Sequence, residues 1–252
     1  MPVALKDEHD IEELRRSGKI LAETLRFLRE ASREGVKLSR LDELARIFIK
    51  EKGARPAFLG YSQAGESPFP AAICASVNEK IVHGIPNSYK LKDGDILKID
   101  LGVDLNGYIT DSAITVAIGK IPKRAEKMME ITKNALDEGI KNCIPGNRLG
   151  DIGYAIESTV RHAGFSVVHG LTGHGVGFKL HEDPTVYNFG EKGKGMEIKP
   201  GLVLAIEPMV SEGSPDVIAL RDGSFETRDG SMSVHFEHTV AVLENGVEIL
   251  TK

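Results

Sequence analysis

The chain of 252 residues contains no tryptophan and only two cysteines, Cys74 and Cys143. Two isolated cysteines without a C-x-x-C pair make a poor disulfide framework, which favours a reducing, cytosolic setting. Long apolar runs are also missing, since no uncharged stretch approaches the roughly 20 residues of a membrane-spanning helix. We therefore expect a cytoplasmic protein that is not inserted in a membrane.

A basic excess is missing as well, because 32 Lys and Arg residues face 37 Asp and Glu residues, for a net charge of −5. This balance provides no electrostatic footprint for DNA. The first ten residues, MPVALKDEHD, carry acidic groups and no apolar run, so they lack the pattern of a signal peptide. With 41% hydrophobic and 27% charged residues, the composition is typical of a globular protein.

The spacing of apolar residues predicts two helices, then strands, and then the same order again. Asp7 or Asp10 would cap the first helix, which ends at Gly35, and Ser39 would cap the second. The later segments are a helix over 40–52, strands over 96–103 and 108–118, helices over 122–142 and 148–162, and strands in the remainder.

This order predicts an α+β fold in a single domain over residues 1–252. Its two halves, about 8–118 and 122–251, would be related by a pseudo-two-fold axis. A faint repeat, ASREGVK at 31–37 and ALDEGIK at 135–141, supports the symmetry, although seven positions can also match by chance.

Two aspartates interrupt apolar segments on either side of a hairpin signal, DLNG at 104–107. Asp100 and Asp111 would lie directly opposite each other if the turn is 105–106, and diagonally if it is 106–107. Both registers place them on the same face of the sheet. Because two buried carboxylates repel and are costly to desolvate, we expect a cation between them, unless one aspartate is only a turn or cap residue.

Glu207 and Glu237 have the same character, since each interrupts an apolar run, although either one alone could belong to a solvated face. His174 lies in GLTGHGVG, where glycines allow close backbone approach. Four carboxylates and one neutral imidazole carry a charge of −4, which two divalent cations would balance. Two such ions about 3.5–4 Å apart can activate a hydrolytic water. The oxygen-rich set favours Mn, Fe, Co or Zn.

Five ordered motifs resemble those of the pita-bread metallopeptidases, and specifically the bacterial form of the type I methionine aminopeptidases. They are NEKIVHGIP at 78–86, KIDLGVDLNGYITDSA at 98–113, GHGVG at 173–177 with HEDP at 181–184, IEPMV at 206–210 and FEHTVAV at 236–242. The resemblance covers essentially the whole chain. It implies a curved antiparallel sheet with helices outside, in two pseudo-symmetric halves.

The resemblance implies an enzyme that hydrolyses the N-terminal methionine from nascent polypeptides and prefers a small second residue. It also implies a monomer with transient ribosome contact, two divalent ions (Co, Mn, Fe or Zn) and one monovalent cation (Na⁺ or K⁺). By this match Asp111 and Glu237 bridge the divalent ions, Asp100 holds one of them, and His174 and Glu207 complete the other.

Further site residues follow from the same match. His83 and His181 would contact the scissile peptide, as a donor to the developing oxyanion and as the acid for the leaving nitrogen, while Glu207 takes a proton from the attacking water. The methionine pocket would consist of Tyr61, Phe69, Cys74 and Leu180. The monovalent cation would be bound by backbone carbonyls of Asn78, Lys80 and Ser233. We interpret the remaining histidines as structural or surface residues: His9, His162, His169, His235 and His238.

Two features depart from the family pattern. The family often has a tryptophan at or beside Ser224-Phe225, over the mouth of the site, and this chain has none. The loop over 62–69 is a few residues longer than usual. Both departures concern the rim of the pocket and leave the metal-ligand motifs intact.

Two other functions are compatible with parts of the pattern. A prolidase or X-Pro aminopeptidase shares the fold and the five ligands, but such enzymes carry a large N-terminal domain, for which the residues before Asp10 leave no room. A non-catalytic pita-bread protein that only binds partners would have lost ligands, whereas all five are present. Metal content and turnover of Met-Ala and X-Pro peptides separate the three possibilities.

Overall fold

The computed structural model describes residues 3–62 and 67–252. Within them, the helices are α1 (Glu8–Ala31), α2 (Leu38–Glu51), α3 (Lys123–Asn142) and α4 (Leu149–His162). The strands are β1 (Arg55–Pro56), β2 (Cys74–Val77), β3 (Lys80–Val82), β4 (Ile96–Leu105), β5 (Tyr108–Ala117), β6 (Ser166–Val167), β7 (Gly173–Gly175), β8 (Glu182–Val186), β9 (Val203–Ile206), β10 (Met209–Ser211), β11 (Val217–Ala219), β12 (Phe225–Thr227), β13 (Ser233–His235), β14 (His238–Leu243) and β15 (Gly246–Ile249).

The starts of the first two helices are stabilised in different ways. Asp7 caps α1 through a capping box, in which its side chain and that of Asp10 each accept from the other's backbone N–H. The prediction that Ser39 caps α2 is wrong, because α2 already begins at Leu38. The N–H groups of Leu38 and Ser39 instead donate to carbonyls of the 87–89 segment, a long-range contact that replaces a side-chain cap.

The hairpin of β4 and β5 turns at Asn106 and Gly107, both of which have positive φ. This turn pairs Gly102 with Asp111 and places Ala113 opposite Asp100. The two aspartates are therefore diagonal neighbours on one face, which is the second of the two registers that the sequence allowed.

The strands form two larger and two smaller sheets, and every pairing among the described residues is antiparallel. In the first half, β4 lies between β1 and β2 on one edge and β5 on the other. In the second half the order is β15-β14-β9-β7-β8. The smaller sheets are β13-β10-β6 and β11-β12-β3, and the second of these joins strands from both halves. The antiparallel α+β class is confirmed.

The core is divided between the two helix pairs. Leucines of α1 and α2 pack on the odd-numbered residues of β4, from Leu97 to Val103, and bury that face of the strand. The second pair, α3 and α4, packs on β9 and β14. Because side chains alternate along a strand, the even-numbered residues of β4 point away from the helices. Asp100 lies on this second face. The description as one domain with two pseudo-symmetric halves stays a prediction.

None of the helices within residues 3–62 and 67–252 is both long enough and apolar enough to cross a membrane.

Candidate active site

A cavity of about 310 Å³ opens on the face of β4 and β5 that points away from the helices. It brings together every side chain that the sequence predicted for the divalent ions, the scissile peptide and the methionine pocket. These residues are Asp100, Asp111, His174, Glu207, Glu237, His83, His181, Tyr61, Phe69, Cys74 and Leu180.

Hydrogen bonds between the two halves place Glu237 beside Asp111. The Asp111 N–H donates to the Thr239 hydroxyl (2.9 Å), which in turn donates to the Asp111 carbonyl (2.7 Å). Ser112 Oγ donates to the Glu237 carbonyl at 2.6 Å, and the Glu237 N–H donates to the carbonyl of Ala113. The short segment between β13 and β14 is thus held against β5. Glu207 lies directly after β9 and Glu237 directly before β14, so neither lies within a strand.

His174 is held by close backbone packing. A Cβ on Gly173 would lie 2.4 Å from the Ala205 carbonyl, and one on Gly175 would lie 2.4 Å from the Asp183 carbonyl, so both positions require glycine. His174 Nδ1 is 2.8 Å from the Gly175 carbonyl, from which we assign the ring proton to Nδ1. Burial lowers the pKa of His174 to about 4. The ring is therefore neutral at pH 7, with a free lone pair on Nε2.

The ligand atoms form two overlapping groups. His174 Nε2 lies 3.9 Å from Asp111 Oδ2 and 3.5 Å from Glu207 Oε1. Ligand atoms of Asp111, His174 and Glu237 lie within 4.8 Å of one another, and so do those of Glu207, His235 and Glu237. Glu237 belongs to both groups, which is the position that a bridging carboxylate would take.

The electrostatics of the cavity favour bound cations. Burial raises the pKa of Asp111 to about 7. Burial also raises the pKa values of Asp100, Glu207 and Glu237 well above their usual range, and at these three groups repulsion from the other carboxylates acts in the same direction. Among the described residues, Asp100 Oδ1, Asp111 Oδ1 and Glu237 Oε1 are buried without a hydrogen-bond partner. Unpaired buried oxygens around one cavity fit divalent metal ions, which neutralise the charge and use these lone pairs.

His235, which the sequence left as a structural or surface residue, lies buried beside the predicted ligands. The residue is 1% exposed, and Nε2 lies 3.5 Å from Glu207 Oε2 and 3.9 Å from Glu237 Oε2. Burial lowers its pKa to about 3, so the ring is neutral. Neither ring nitrogen has a hydrogen-bond partner within the described part of the chain. Because residues i and i+2 of an extended segment share a face, the spacing of His235 and Glu237 was the available signal.

His83 and His181 line the mouth of the cavity. Tyr61 Oη is 2.6 Å from His181 Nδ1, and the His181 ring centroid is 4.4 Å from that of His174. His83 has a left-handed backbone, with φ of +59°, which non-glycine residues rarely adopt. Its ring meets Phe225 edge-on at 5.7 Å. Phe225 therefore provides an aromatic ring in the segment where the family often has a tryptophan.

The apolar end of the cavity contains Cys74 and Leu180, packed with Phe58, Tyr61 and Phe69. Phe58 was not predicted, and its sequence context, PAFLGY, carries no motif that would identify it. Burial and the nearby Asp100 and Asp111 carboxylates raise the pKa of the Cys74 thiol, so it is uncharged. Of the loop that was predicted to be longer, residues 63–66 lie outside the described residues.

The residues predicted for the monovalent cation also lie together. Asn78, with φ of +55°, points its carbonyl at Ser233, whose N–H and hydroxyl donate to it at 3.1 and 3.0 Å. The Ser233 hydroxyl is 3.3 Å from the carbonyl of Lys80. A third donor, Lys98 Nζ, is 2.6 Å from the Asn78 carbonyl. The monovalent cation itself stays a prediction.

Comparison with known proteins agrees with this geometry. The model of metallopeptidase family M24 matches residues 12–244. The chain belongs to this family. It is 48% identical to the methionine aminopeptidase of Clostridium perfringens over 250 residues, which cover 99% of this chain and 98% of that protein. These matches confirm the resemblance to methionine aminopeptidases that the motifs indicated.

Solved structures place this metallopeptidase in the same group. The crystal structure of methionine aminopeptidase from Rickettsia prowazekii superposes with a TM-score of 0.95 at 38% identity, covering 99% of this chain and 100% of that one. A prolidase from Pyrococcus furiosus superposes with a TM-score of 0.79 at 23% identity, and only 65% of it is covered. The pita-bread fold is confirmed, and the prolidase shares the fold alone.

Proposed function

We propose that this metallopeptidase hydrolyses the N-terminal methionine from nascent polypeptides. The observation that carries the proposal is one cavity in which four buried carboxylates and a neutral imidazole adjoin an apolar pocket. The family and the identity to methionine aminopeptidases support the same function. From the resemblance we further propose a monomer that acts in the cytoplasm with transient ribosome contact.

In this proposal Asp111 and Glu237 would each help to hold both of two divalent ions of Co, Mn, Fe or Zn. Asp100 would help to hold one ion, and His174 and Glu207 would help to hold the other. The unpaired oxygens and the raised pKa values of the carboxylates support this set. When bound, the two ions would polarise the peptide carbonyl and make a water nucleophilic near neutral pH.

The protein groups supply binding, orientation and proton transfer. Burial and the Asp111 carboxylate raise the pKa of Glu207, which makes it a stronger base than a solvated carboxylate and suits it to accept a proton from the attacking water. His83 and His181, which line the cavity, would donate to the developing oxyanion and to the leaving nitrogen. Tyr61 Oη, 2.6 Å from His181 Nδ1, would hold that ring in a fixed orientation.

We expect peptides that begin with Met to be cleaved faster than those that begin with Leu or Ala. The pocket of Phe58, Cys74 and Leu180 is apolar and polarizable, which suits a thioether. Each methylene lost from an apolar pocket is worth about 1–3 kcal/mol, so kcat/KM should fall by at least about tenfold from Met-Ala to Ala-Ala peptides.

The measurement is kcat/KM for a series of peptides at fixed metal loading. Met-Ala against Met-Leu tests the preference for a small second residue, and an X-Pro peptide tests the prolidase alternative. Equal turnover of Met-Ala and Leu-Ala would contradict the methionine pocket. Cleavage of the X-Pro peptide alone would show that the protein is a prolidase or X-Pro aminopeptidase instead.

We expect His235→Leu to weaken binding of one divalent ion by about 10- to 100-fold, in the range found when groups behind metal ligands are lost. With no acceptor near Nδ1 among the described residues, the ring proton is assigned to Nε2, facing Glu207 and Glu237. His235 would then orient the two carboxylates. Calorimetric titration of the metal-free variant with Mn²⁺ measures the loss.

The matched control is His235→Gln, whose side-chain amide can present an N–H to the same carboxylates. It should bind both ions nearly as tightly as the parent. If leucine leaves both affinities unchanged, His235 has no part in orienting the carboxylates. If glutamine is as damaging as leucine, the donor role is wrong.

A further inference from the structure

The centre of β4 carries a lysine that no part of the proposed reaction uses. Lys98 is 1% exposed and lies between Ser76 of β2 and Thr115 of β5, which are also buried. It shares its face of the strand with Asp100, two residues away, and is the largest fully buried side chain of the described residues. Burying an amino group is costly unless it has hydrogen-bond partners. The hydrogen bonds of the Lys98 amino group must therefore compensate for its burial.

Lys98 Nζ donates to the backbone carbonyl of Asn78 at 2.6 Å. The Asn78 backbone is locked into a left-handed turn by its own side chain, which accepts from the Ile96 N–H and donates to Asp95. The carbonyl is therefore aimed inward by a rigid turn. The carboxylates of Glu79 and Asp95 are close enough to favour a positive charge at Nζ, although burial acts more strongly and lowers the pKa of Lys98 to about 7.

The Asn78 carbonyl has no room for a further ligand. It already accepts from the N–H and the hydroxyl of Ser233 and from Lys98, which are three donors for an oxygen with two lone pairs. An alkali-metal ion would need this oxygen together with the carbonyls of Lys80 and Ser233, because such ions are held by oxygen atoms that replace their hydration shell. The groups present do not fit a cation, since an ion on the Asn78 oxygen would have to displace one of these three donors.

We propose that the amino group of Lys98 takes the place of a monovalent cation, so that this metallopeptidase folds and works without bound Na⁺ or K⁺. The hydrogen bond from Lys98 Nζ to the Asn78 carbonyl connects separate segments of the site. The Asn78 turn leads through β3 to His83, and Ser233 begins the strand that leads to His235 and Glu237. Joining Asn78, Ser233 and β4 at one point holds two arms of the site together. This role of Lys98 concerns cation binding and does not depend on which peptide is the substrate.

The test compares salts at one ionic strength on the full, Zn²⁺-loaded chain. For the parent protein, Tm should be the same in NaCl, KCl and tetramethylammonium chloride, because the last cation is too large for a carbonyl cage. Lys98→Ser removes the amino group and opens the space it fills. This variant should melt several degrees lower in tetramethylammonium chloride and regain much of the loss in NaCl or KCl, with a saturable dependence on concentration.

The matched control is Lys80→Ser, which keeps the Lys80 carbonyl but removes an amino group that bonds Ser224 instead. It should gain no dependence on Na⁺ or K⁺. A parent protein whose Tm responds specifically to Na⁺ or K⁺ would overturn the proposal, as would a Lys98→Ser variant that is insensitive to both ions, whether destabilised or not.

A second measurement decides the question if Lys98→Ser does not fold. Sodium NMR linewidths report exchange of Na⁺ with a protein site, and they need only the parent protein. The linewidth should equal that of a Lys98→Met variant, whose apolar side chain fills the same space, and should not change when K⁺ is added. Broadening by the parent that K⁺ reverses would show a bound alkali ion and overturn the proposal.

Discussion

Asp111→Asn and Glu237→Gln should each reduce turnover to background while the fold is kept. Both substitutions preserve shape but remove a negative charge from a residue that belongs to a group of ligand atoms within 4.8 Å. A two-ion centre loses its bridge, and with it several kcal/mol of stabilisation of the transition state, which corresponds to a loss of at least about 10³-fold in kcat. Activity and metal content are measured on the same preparation.

Asp104→Asn is the matched control, because it makes the same change on the same hairpin. The Asp104 carboxylate bonds the Arg55 guanidinium and the Gly107 N–H, away from the cavity. This variant should keep both ions and near-parental kcat. Near-parental activity in Asp111→Asn or Glu237→Gln would exclude those residues as bridging ligands.

When the metal is removed, Asp111→Asn should be beneficial, because it should stabilise the fold. Burial raises the pKa of Asp111 to about 7, so ionisation of this carboxylate weakens the metal-free fold progressively from about pH 4 to about pH 7, and fully above that. With chelator present, Asp111→Asn should therefore melt above the parent at pH 8, and the difference should shrink as the pH falls to 4. A difference that grows with falling pH would contradict this assignment.

His181→Ala and His83→Ala should keep both metal ions and lower kcat by about 10²–10⁴-fold, the usual cost of losing one positioned donor or proton carrier. Both rings line the cavity, yet neither belongs to a group of ligand atoms close enough to hold an ion, within the part of the chain described. Metal stoichiometry, Tm and kcat are measured for each variant.

Two controls separate catalysis from packing. Tyr61→Phe removes the hydroxyl 2.6 Å from His181 Nδ1 and keeps both rings, so its effect on kcat should be smaller than that of His181→Ala. His9→Ala removes an imidazole that does not line the cavity, and kcat should stay unchanged. A normal kcat together with a lowered Tm in His181→Ala or His83→Ala would mean that the imidazole only supports the fold.

Local sequence patterns were sufficient to predict the chemistry of the site. Strand parity places Asp100 and Asp111 on the same face of the sheet with either turn. The glycines on both sides of His174 indicate close packing, and the Ala205 and Asp183 carbonyls leave no room for a side chain at these two positions. These features depend on local rules of strand and glycine geometry, which act over a few residues. The identity of the five clustered side chains followed from the same motifs.

Contacts between groups that are distant along the chain became visible only in the folded protein. The start of α2 depends on carbonyls of the 87–89 segment, His235 gains its importance from facing Glu207, and Lys98 from reaching the Asn78 carbonyl. Phe58 joins the pocket through packing on Cys74 and Leu180. In each case the partner lies far away along the chain, so no local pattern encodes the contact. Burial and hydrogen bonding across the fold then give an ordinary lysine, histidine or phenylalanine its particular place.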